Sequence, residues 1–165
     1  MDRYDERIIK GKPAPVSFLL IALAVLLTIV GLVLFLVSPM LSCMVVFAGV
    51  AWIIFAKDGL DIEYEYILTN GDVEVAKILS KKRRKTMKEI ESSSVTKIDY
   101  ASSEYVKNDI SLGKAKVRKY VGKEEEGKLI AIYTGDADHQ TITLIDANDK
   151  MIDHLKAVYK VKCNL

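Results

Sequence analysis

Val16–Val37 (VSFLLIALAVLLTIVGLVLFLV) and Met40–Ala56 (MLSCMVVFAGVAWIIFA) contain no charged residue, and their reading decides the architecture. A helix needs about 20 apolar residues to cross the hydrocarbon core of a bilayer. The first run has 22 residues, interrupted only by Ser17, Thr28 and Gly31, and the second has 17, near the short end of what spans. Ser38 and Pro39 lie between them. Proline lacks an amide hydrogen and disfavours helix in the preceding residue, so this pair suits a chain reversal or the first turn of a second helix. The two runs predict a transmembrane helical hairpin over residues 15–56.

The flanks orient it. Arg3, Arg7, Lys10 and Lys12 precede the first span and Lys57 follows the second, while the loop between them is uncharged. This bias places both termini on the cytoplasmic side of the cell membrane, in a multi-pass protein. A cleaved signal peptide fits poorly with a 22-residue apolar run that lacks a small-residue cleavage site, so uncleaved spans are expected. A lipoprotein signal ending at Leu41-Ser42-Cys43 also fits poorly, because the apolar run resumes directly after Cys43. Residues 1–14 read as a cytoplasmic tail, residues 57–61 (KDGLD) as a linker and residues 62–165 as one soluble domain. At ~3.3 Å per residue the linker reaches no more than about 16 Å, which keeps the domain against the bilayer.

The 24 Lys plus Arg against 22 Asp plus Glu give a net charge of +2, so no global field selects nucleic acid. Only Cys43 and Cys163 occur, in different regions, without a disulfide framework or zinc-ligand spacing.

In the soluble part, Ile62, Tyr64, Tyr66 and Leu68 alternate with Glu63, Glu65 and Thr69, the two-residue period of a half-buried strand. Asn70-Gly71 is a strong hairpin signal, because both residues accept positive φ. Asp72–Leu79 returns, with Ile78 out of phase as a bulge near Lys77 would leave it. Thr86–Ile90, Val95–Tyr100, Leu129–Thr134 and Thr141–Ile145 read as further strands, with Ala101–Ser111 as a loop. Glu124–Glu126 and Gly127 make a turn. Met151, Ile152, Leu155, Val158 and Tyr159 recur at helical spacing, predicting an amphipathic C-terminal helix capped by Asp146.

Two basic stretches are candidate contact sites. The hairpin returns the chain to the height at which it left the bilayer, so Lys81, Lys82, Arg83, Arg84 and Lys85 fall at the membrane-proximal end. This run reads equally as a solvated turn or as a contact for anionic headgroups, where each cation is worth ~1 kcal/mol. Lys114, Lys116, Arg118 and Lys119 surround Val117 and form a second basic face on an expected edge strand.

About seven short strands followed by one helix is the element order of a pleckstrin-homology-like (PH-like) domain. Tyr64–Asn70 (YEYILTN), Ile78–Ile90 (ILSKKRRKTMKEI) and Val95–Ile98 (VTKI), placed just after two membrane helices, resemble the bacterial membrane proteins that carry such a domain. The resemblance implies a membrane-anchored α+β protein whose antiparallel β-barrel or sandwich is capped by the C-terminal helix, with a role in binding or assembly and no catalysis. The inositol-phosphate motif of eukaryotic PH domains surrounds the first hairpin. Here that turn is Asn70-Gly71, and no such pocket is transferred.

Catalytic constellations are lacking. Asp136, Asp138 and His139 sit close in sequence but have ordinary turn composition, so no metal is expected. Ser92-Ser93-Ser94 has no histidine near it, Glu63 and Glu65 are ordinary strand-face charges, and His154 falls off the apolar stripe, facing solvent. No ionisable group interrupts the spans, which makes them an anchor. Ala48, Gly49 and Ala51 allow close helix packing. The expected protein is a cytoplasmic binding or scaffolding module on the inner leaflet, with the lipid bilayer as partner and no cofactor. The alternative is an accessory subunit that pairs with another membrane protein.

Overall fold

A computed structural model describes residues 3–123, 127–136 and 139–165. The expected turn at Glu124–Glu126 and the side chain of Asp138 lie outside the described residues. The chain forms two compact units. One comprises Lys12–Ile62 with Leu79–Arg83; the other comprises the N-terminal segment through Gly11, Glu63–Ile78 and Arg84–Leu165.

The first unit holds helices α1 (Pro15–Leu34) and α2 (Pro39–Ala56), both long and apolar enough to cross a membrane. Helix α1 ends three residues before the apolar run does. Ser38 is extended ahead of Pro39, and the reversal uses residues 35–38, a boundary that hydropathy cannot mark. The packing places small residues inside and large ones outside. Ser17, Ala24 and Gly31 on α1 and Ser42, Gly49 and Ala56 on α2 are buried at seven-residue intervals, while Phe18, Leu26, Val33, Phe47 and Phe55 are exposed. With the large apolar side chains turned outward, close backbone approach and hydrogen bonds hold the pair together. The Ser42 hydroxyl donates to the Gly31 carbonyl at 2.7 Å. A Cβ on Gly49 would lie 3.1 Å from the Thr28 amide nitrogen and 3.2 Å from the Ala24 oxygen. Of the three small residues singled out in α2, Gly49 is the one at the contact, and Ala48 and Ala51 are exposed. Lys57–Gly59 continues α2 as a single 3-10 turn, and the Ala14 amide donates to the Gly59 carbonyl at 3.0 Å, so the hairpin begins and ends side by side.

The second unit is α+β. Strand β1 (Tyr4–Lys10), most of β2 (Ile62–Thr69), β3 (Asp72–Leu79) and β4 (Arg83–Ile90) form a four-stranded sheet in the order β1-β2-β3-β4. Five further strands are β5 (Val95–Tyr100), β6 (Lys116–Tyr120), β7 (Lys128–Thr134), β8 (Thr141–Ala147) and β9 (Cys163–Asn164). They form a second sheet in the order β6-β8-β7-β5-β9. Helices α3 (Glu104–Ser111) and α4 (Asp149–Tyr159) complete the unit. Tyr66, Leu68, Val73 and Val75 of the first sheet pack with Ile98, Ile130, Ile132 and Ile145 of the second, and with Met151, Ile152, Leu155 and Tyr159 of α4. On the second sheet's other face, Val106 of α3 covers Ala131, Tyr133, Ile142 and Leu144.

Several expectations are corrected here. Residues 4–10, expected within a tail, form β1, paired antiparallel with β2 from Tyr4↔Thr69 to Lys10↔Glu63. The helical hairpin is therefore inserted between the first two strands of the sheet. The strands do not close into a barrel. The edge of β5 that would accept β4 is taken by β9, which runs parallel to it with the pairs Ile98↔Cys163 and Asp99↔Asn164. At the opposite corner the sheets touch through one bridge, Gly11↔Gly122. The expected loop at 101–111 contains α3, capped by the Ser103 hydroxyl, which accepts from the Val106 amide. Helix α4 is capped by Asn148, whose side chain accepts from the Met151 amide at 2.9 Å, while Asp146 lies within β8.

Candidate functional site

Residues 79–83 belong to the same unit as the helical hairpin and make the tight turn between β3 and β4. The Lys82 amide donates to the Leu79 carbonyl at 3.0 Å, and Ser80 and Lys81 take φ of 49° and 55°. Left-handed backbone costs an L-residue roughly 1–2 kcal/mol, so two non-glycine residues hold it only with outside support. Asp58, in the 3-10 turn after α2, supplies that support. Its Oδ1 accepts from the Ser80 hydroxyl at 3.0 Å, its Oδ2 pairs with the Arg83 guanidinium, and the Ser80 amide donates to the Asp61 carbonyl at 2.8 Å. One carboxylate thus clamps the turn to the end of α2. Lys81 and Lys82 remain exposed at its tip, without an ion pair among the described residues.

The other members of the run lie in the sheet unit. Arg84 pairs with Glu65 and, at 3.0 Å, with Glu74, and the Glu65 carboxylate raises the pKa of its guanidinium further. Lys85 is exposed. Of the five cations, Arg83 and Arg84 are occupied by carboxylates, and the three lysines are exposed without an ion pair among the described residues. The second basic stretch does not share one face. Alternation along β6 puts Lys116 and Arg118 on the side of Tyr120, which joins the inter-sheet core, and Lys119 on the side of Val117, which packs beneath α3. Lys114 is exposed just before the strand.

The remaining candidates resolve into structural roles. Glu65 is buried against Arg84. Ser92–Ser94 form a 3-10 turn whose first amide donates to Asp72 at 2.7 Å. Asp136 and His139 are exposed, the His139 amide donating to the Asp136 carbonyl at 3.1 Å, and no cluster of three metal-ligating side chains occurs among the described residues. His154 faces inward, correcting the solvent-facing expectation. It is 2% exposed, and its Nδ1 lies 2.7 Å from Asp5 Oδ2 on β1. A histidine off an apolar stripe can be buried when a carboxylate meets it, and that partner lies on a strand 149 residues away in sequence.

Sequence reading missed a buried polar seam tying β1 to the C-terminal half. Arg7 pairs with Asp146 at 3.2 Å, their side chains 10% and 0% exposed. Gly127 lies over this pair: a Cβ there would fall 2.4 Å from Asp146 Oδ1 and 2.5 Å from Arg7 Nη1. The Tyr66 hydroxyl donates to the Tyr120 carbonyl, and the Tyr159 hydroxyl to the Gly71 carbonyl at 2.5 Å. Burial pushes the Tyr66 and Tyr133 hydroxyls up and Tyr159 up to about 12. A tyrosine pKa raised above its unfolded value of 10.0 lends stability that is complete below pH 10 and is lost as pH rises toward 12. Denaturant midpoints are expected to fall across that window, in step with the growth of phenolate absorbance. A midpoint unchanged up to pH 12 would contradict the burial of these hydroxyls.

Two facing sheets with a C-terminal helix packed into their core, in a chain that also carries two helices apolar enough to cross a membrane, accord with a membrane-associated PH-like domain. The model of the bacterial PH-like domain family DUF6106 matches residues 1–165, and the chain belongs to that family. No curated protein and no solved structure matches it.

Proposed function

We propose that this protein is a membrane-mounted binding module, with both termini cytoplasmic, whose lysines 81, 82 and 85 contact anionic lipid headgroups of the inner leaflet. PH-like domains are generally non-catalytic binding modules, and the buried roles of Glu65 and His154 leave neither free for acid–base work. The observation that carries the reading is the Asp58 clamp. It fixes the turn bearing Lys81 and Lys82 to the residues where α2 ends, the level at which a spanning helix meets headgroups. The helices supply attachment, so the lysines act on lipid preference and orientation, at ~1 kcal/mol each near an anionic surface. Lipid carried by the full-length protein out of mixed neutral and anionic bilayers, identified by mass spectrometry, tests this. Anionic lipid is expected to be enriched and to fall toward the bulk ratio in a Lys81→Gln/Lys82→Gln/Lys85→Gln variant. Equal lipid composition around parent and variant removes the lipid contact.

A second reading, a subunit of a larger membrane complex, is favoured by Tyr105 and Leu112. They lie seven residues apart on one side of the α3 segment, turned about 100° or more away from the buried Val106, and are 74% and 57% exposed. Crosslinking in native membranes tests it, and recovery of monomer alone counts against it.

A further inference from the structure

Strand β1 is separated from every other strand of its domain by the helical hairpin. It is made before the hairpin, and the residues that hold it are made after. Arg7 pairs with Asp146, Asp5 meets His154, and the Lys123 amide donates to the Lys10 carbonyl at 2.8 Å. The Asn70 amide donates to the Arg3 carbonyl at 3.0 Å, and the Arg3 amide to Asn70 Oδ1 at 2.9 Å. Ile9 is 2% exposed within the inter-sheet core. This is more than an edge strand laid on a finished sheet. Without it Asp146 is left as a fully buried carboxylate, the core loses Ile9, and β2 loses its partner along seven residue pairs.

From this arrangement we infer that Tyr4–Lys10 is a clasp that allows the PH-like domain to fold only when the helical hairpin has crossed the membrane and returned. The inference rests on the reading that α1 and α2 both span. Strand β1 and Glu63–Leu165 must share a compartment to pair, and they do so only if an even number of spans lies between them. A chain in which one helix fails to cross leaves β1 on the wrong face, and its domain lacks the strand that completes the first sheet and closes the inter-sheet core. Binding competence is thereby made conditional on correct insertion, and a mis-inserted copy is exposed to proteolysis.

Parity is the test. One artificial apolar span of about 20 residues is inserted at Lys12 of the full-length chain, and two such spans, joined by a polar loop, in a second variant. Whichever way the array inserts, an odd total separates β1 from the domain and an even total reunites them. With protease admitted to both faces, cleavage within residues 62–165 is expected to be at least about a hundred-fold faster in the one-span variant. That follows from loss of a buried ion-pair partner when cleavage tracks the open population. The two-span variant is expected to match the parent. Resistance in both variants, or sensitivity in both, overturns the inference. Crossing itself is read separately in the parent, by labelling cysteines placed at Ser38 and Lys123 in a Cys43→Ala/Cys163→Ala background with an impermeant reagent. Labelling of both from one face removes the membrane mount and the inference with it. Labelling from opposite faces, combined with a parity-independent domain, removes only the inference.

Discussion

A chain in which residues 3–11 are joined to residues 62–165 through an Asn-Gly turn is expected to fold as a water-soluble domain, while residues 57–165 alone are not. The join is dictated by register. Lys10 pairs with Glu63 in an antiparallel ladder, so Gly11 and Ile62 lie at the next rung, and a two-residue turn with positive φ closes such a pair. Removing residues 12–61 deletes the residues that stand exposed along α1 and α2 and costs the β3–β4 turn its Asp58 and Asp61 contacts, but it leaves the inter-sheet core intact, because no helix α1 or α2 residue contributes to it. The shorter chain keeps the linker and every strand after the hairpin, yet lacks β1. It loses the burial of Ile9, roughly 1.5–3 kcal/mol, and it leaves Asp146 without Arg7, about 3–5 kcal/mol. Together these approach the whole stability of a small domain, about 5–15 kcal/mol. Near-ultraviolet circular dichroism and amide dispersion in NMR spectra separate the outcomes. Equal dispersion in the two chains would mean that β1 is dispensable.

That contrast explains which parts of the fold were legible in the sequence. The β2–β3 hairpin was, because Asn70 and Gly71 adopt φ of 51° and 104° and few other residue pairs do so cheaply. The apolar helices were, because each run is long, uncharged and opened by a proline at its first turn. Strand β1 was not. In Tyr4–Lys10 the residues Asp5, Glu6, Arg7 and Lys10 are charged, and its inward positions carry Asp5 and Arg7 beside a single buried Ile9, so alternation of polarity is absent. Its inward charges are matched by Asp146 and His154, partners that no local pattern reveals. Helix α3 was hidden for a related reason: across eight residues it buries only Val106, with Ile110 half-buried one turn later. The parallel pairing of β6 with β8 and of β9 with β5 depends on long-range partners, which periodicity does not encode.

The basic turn divides in the same way. Its position after the β2–β3 hairpin could be read by counting residues, and Leu79–Arg83 fall in one unit with the helices. The division of labour within it could not. Arg83 and Arg84 look like part of one cationic run, yet each is held by carboxylates 25 and 19 residues earlier in sequence. Asp58 and Glu65 therefore act as positioning residues, and charge counting overstates the free cations.

Replacing Arg7 by alanine is expected to destabilise the domain more than any other single truncation on β1, by about 3–5 kcal/mol, while the Arg7→Met/Asp146→Leu double variant recovers most of that loss. Asp146 has no exposed side-chain surface, so removing Arg7 takes the paired guanidinium from a carboxylate that water does not reach, which is costly in a low-dielectric interior. Two apolar side chains of similar volume remove the charge and the desolvation cost together. The Asp5–His154 contact sets the comparison, because the Asp5 side chain keeps 27% of its surface in water, so solvent can enter the space it vacates and reach the His154 Nδ1. Asp5→Ala is therefore expected to cost less than Arg7→Ala. Gly127 bounds the design from the other side: its Cα lies so close to the pair that Gly127→Ala must displace either the Asp146 carboxylate or the Ala147 carbonyl, which a Cβ would approach to 2.4 Å. Thermal unfolding of the full-length protein in detergent, followed by near-ultraviolet circular dichroism, reads all four variants. If the double variant proves no more stable than Arg7→Ala, the ion pair contributes through its geometry rather than through mutual neutralisation, and the seam specifies how β1 docks instead of how strongly.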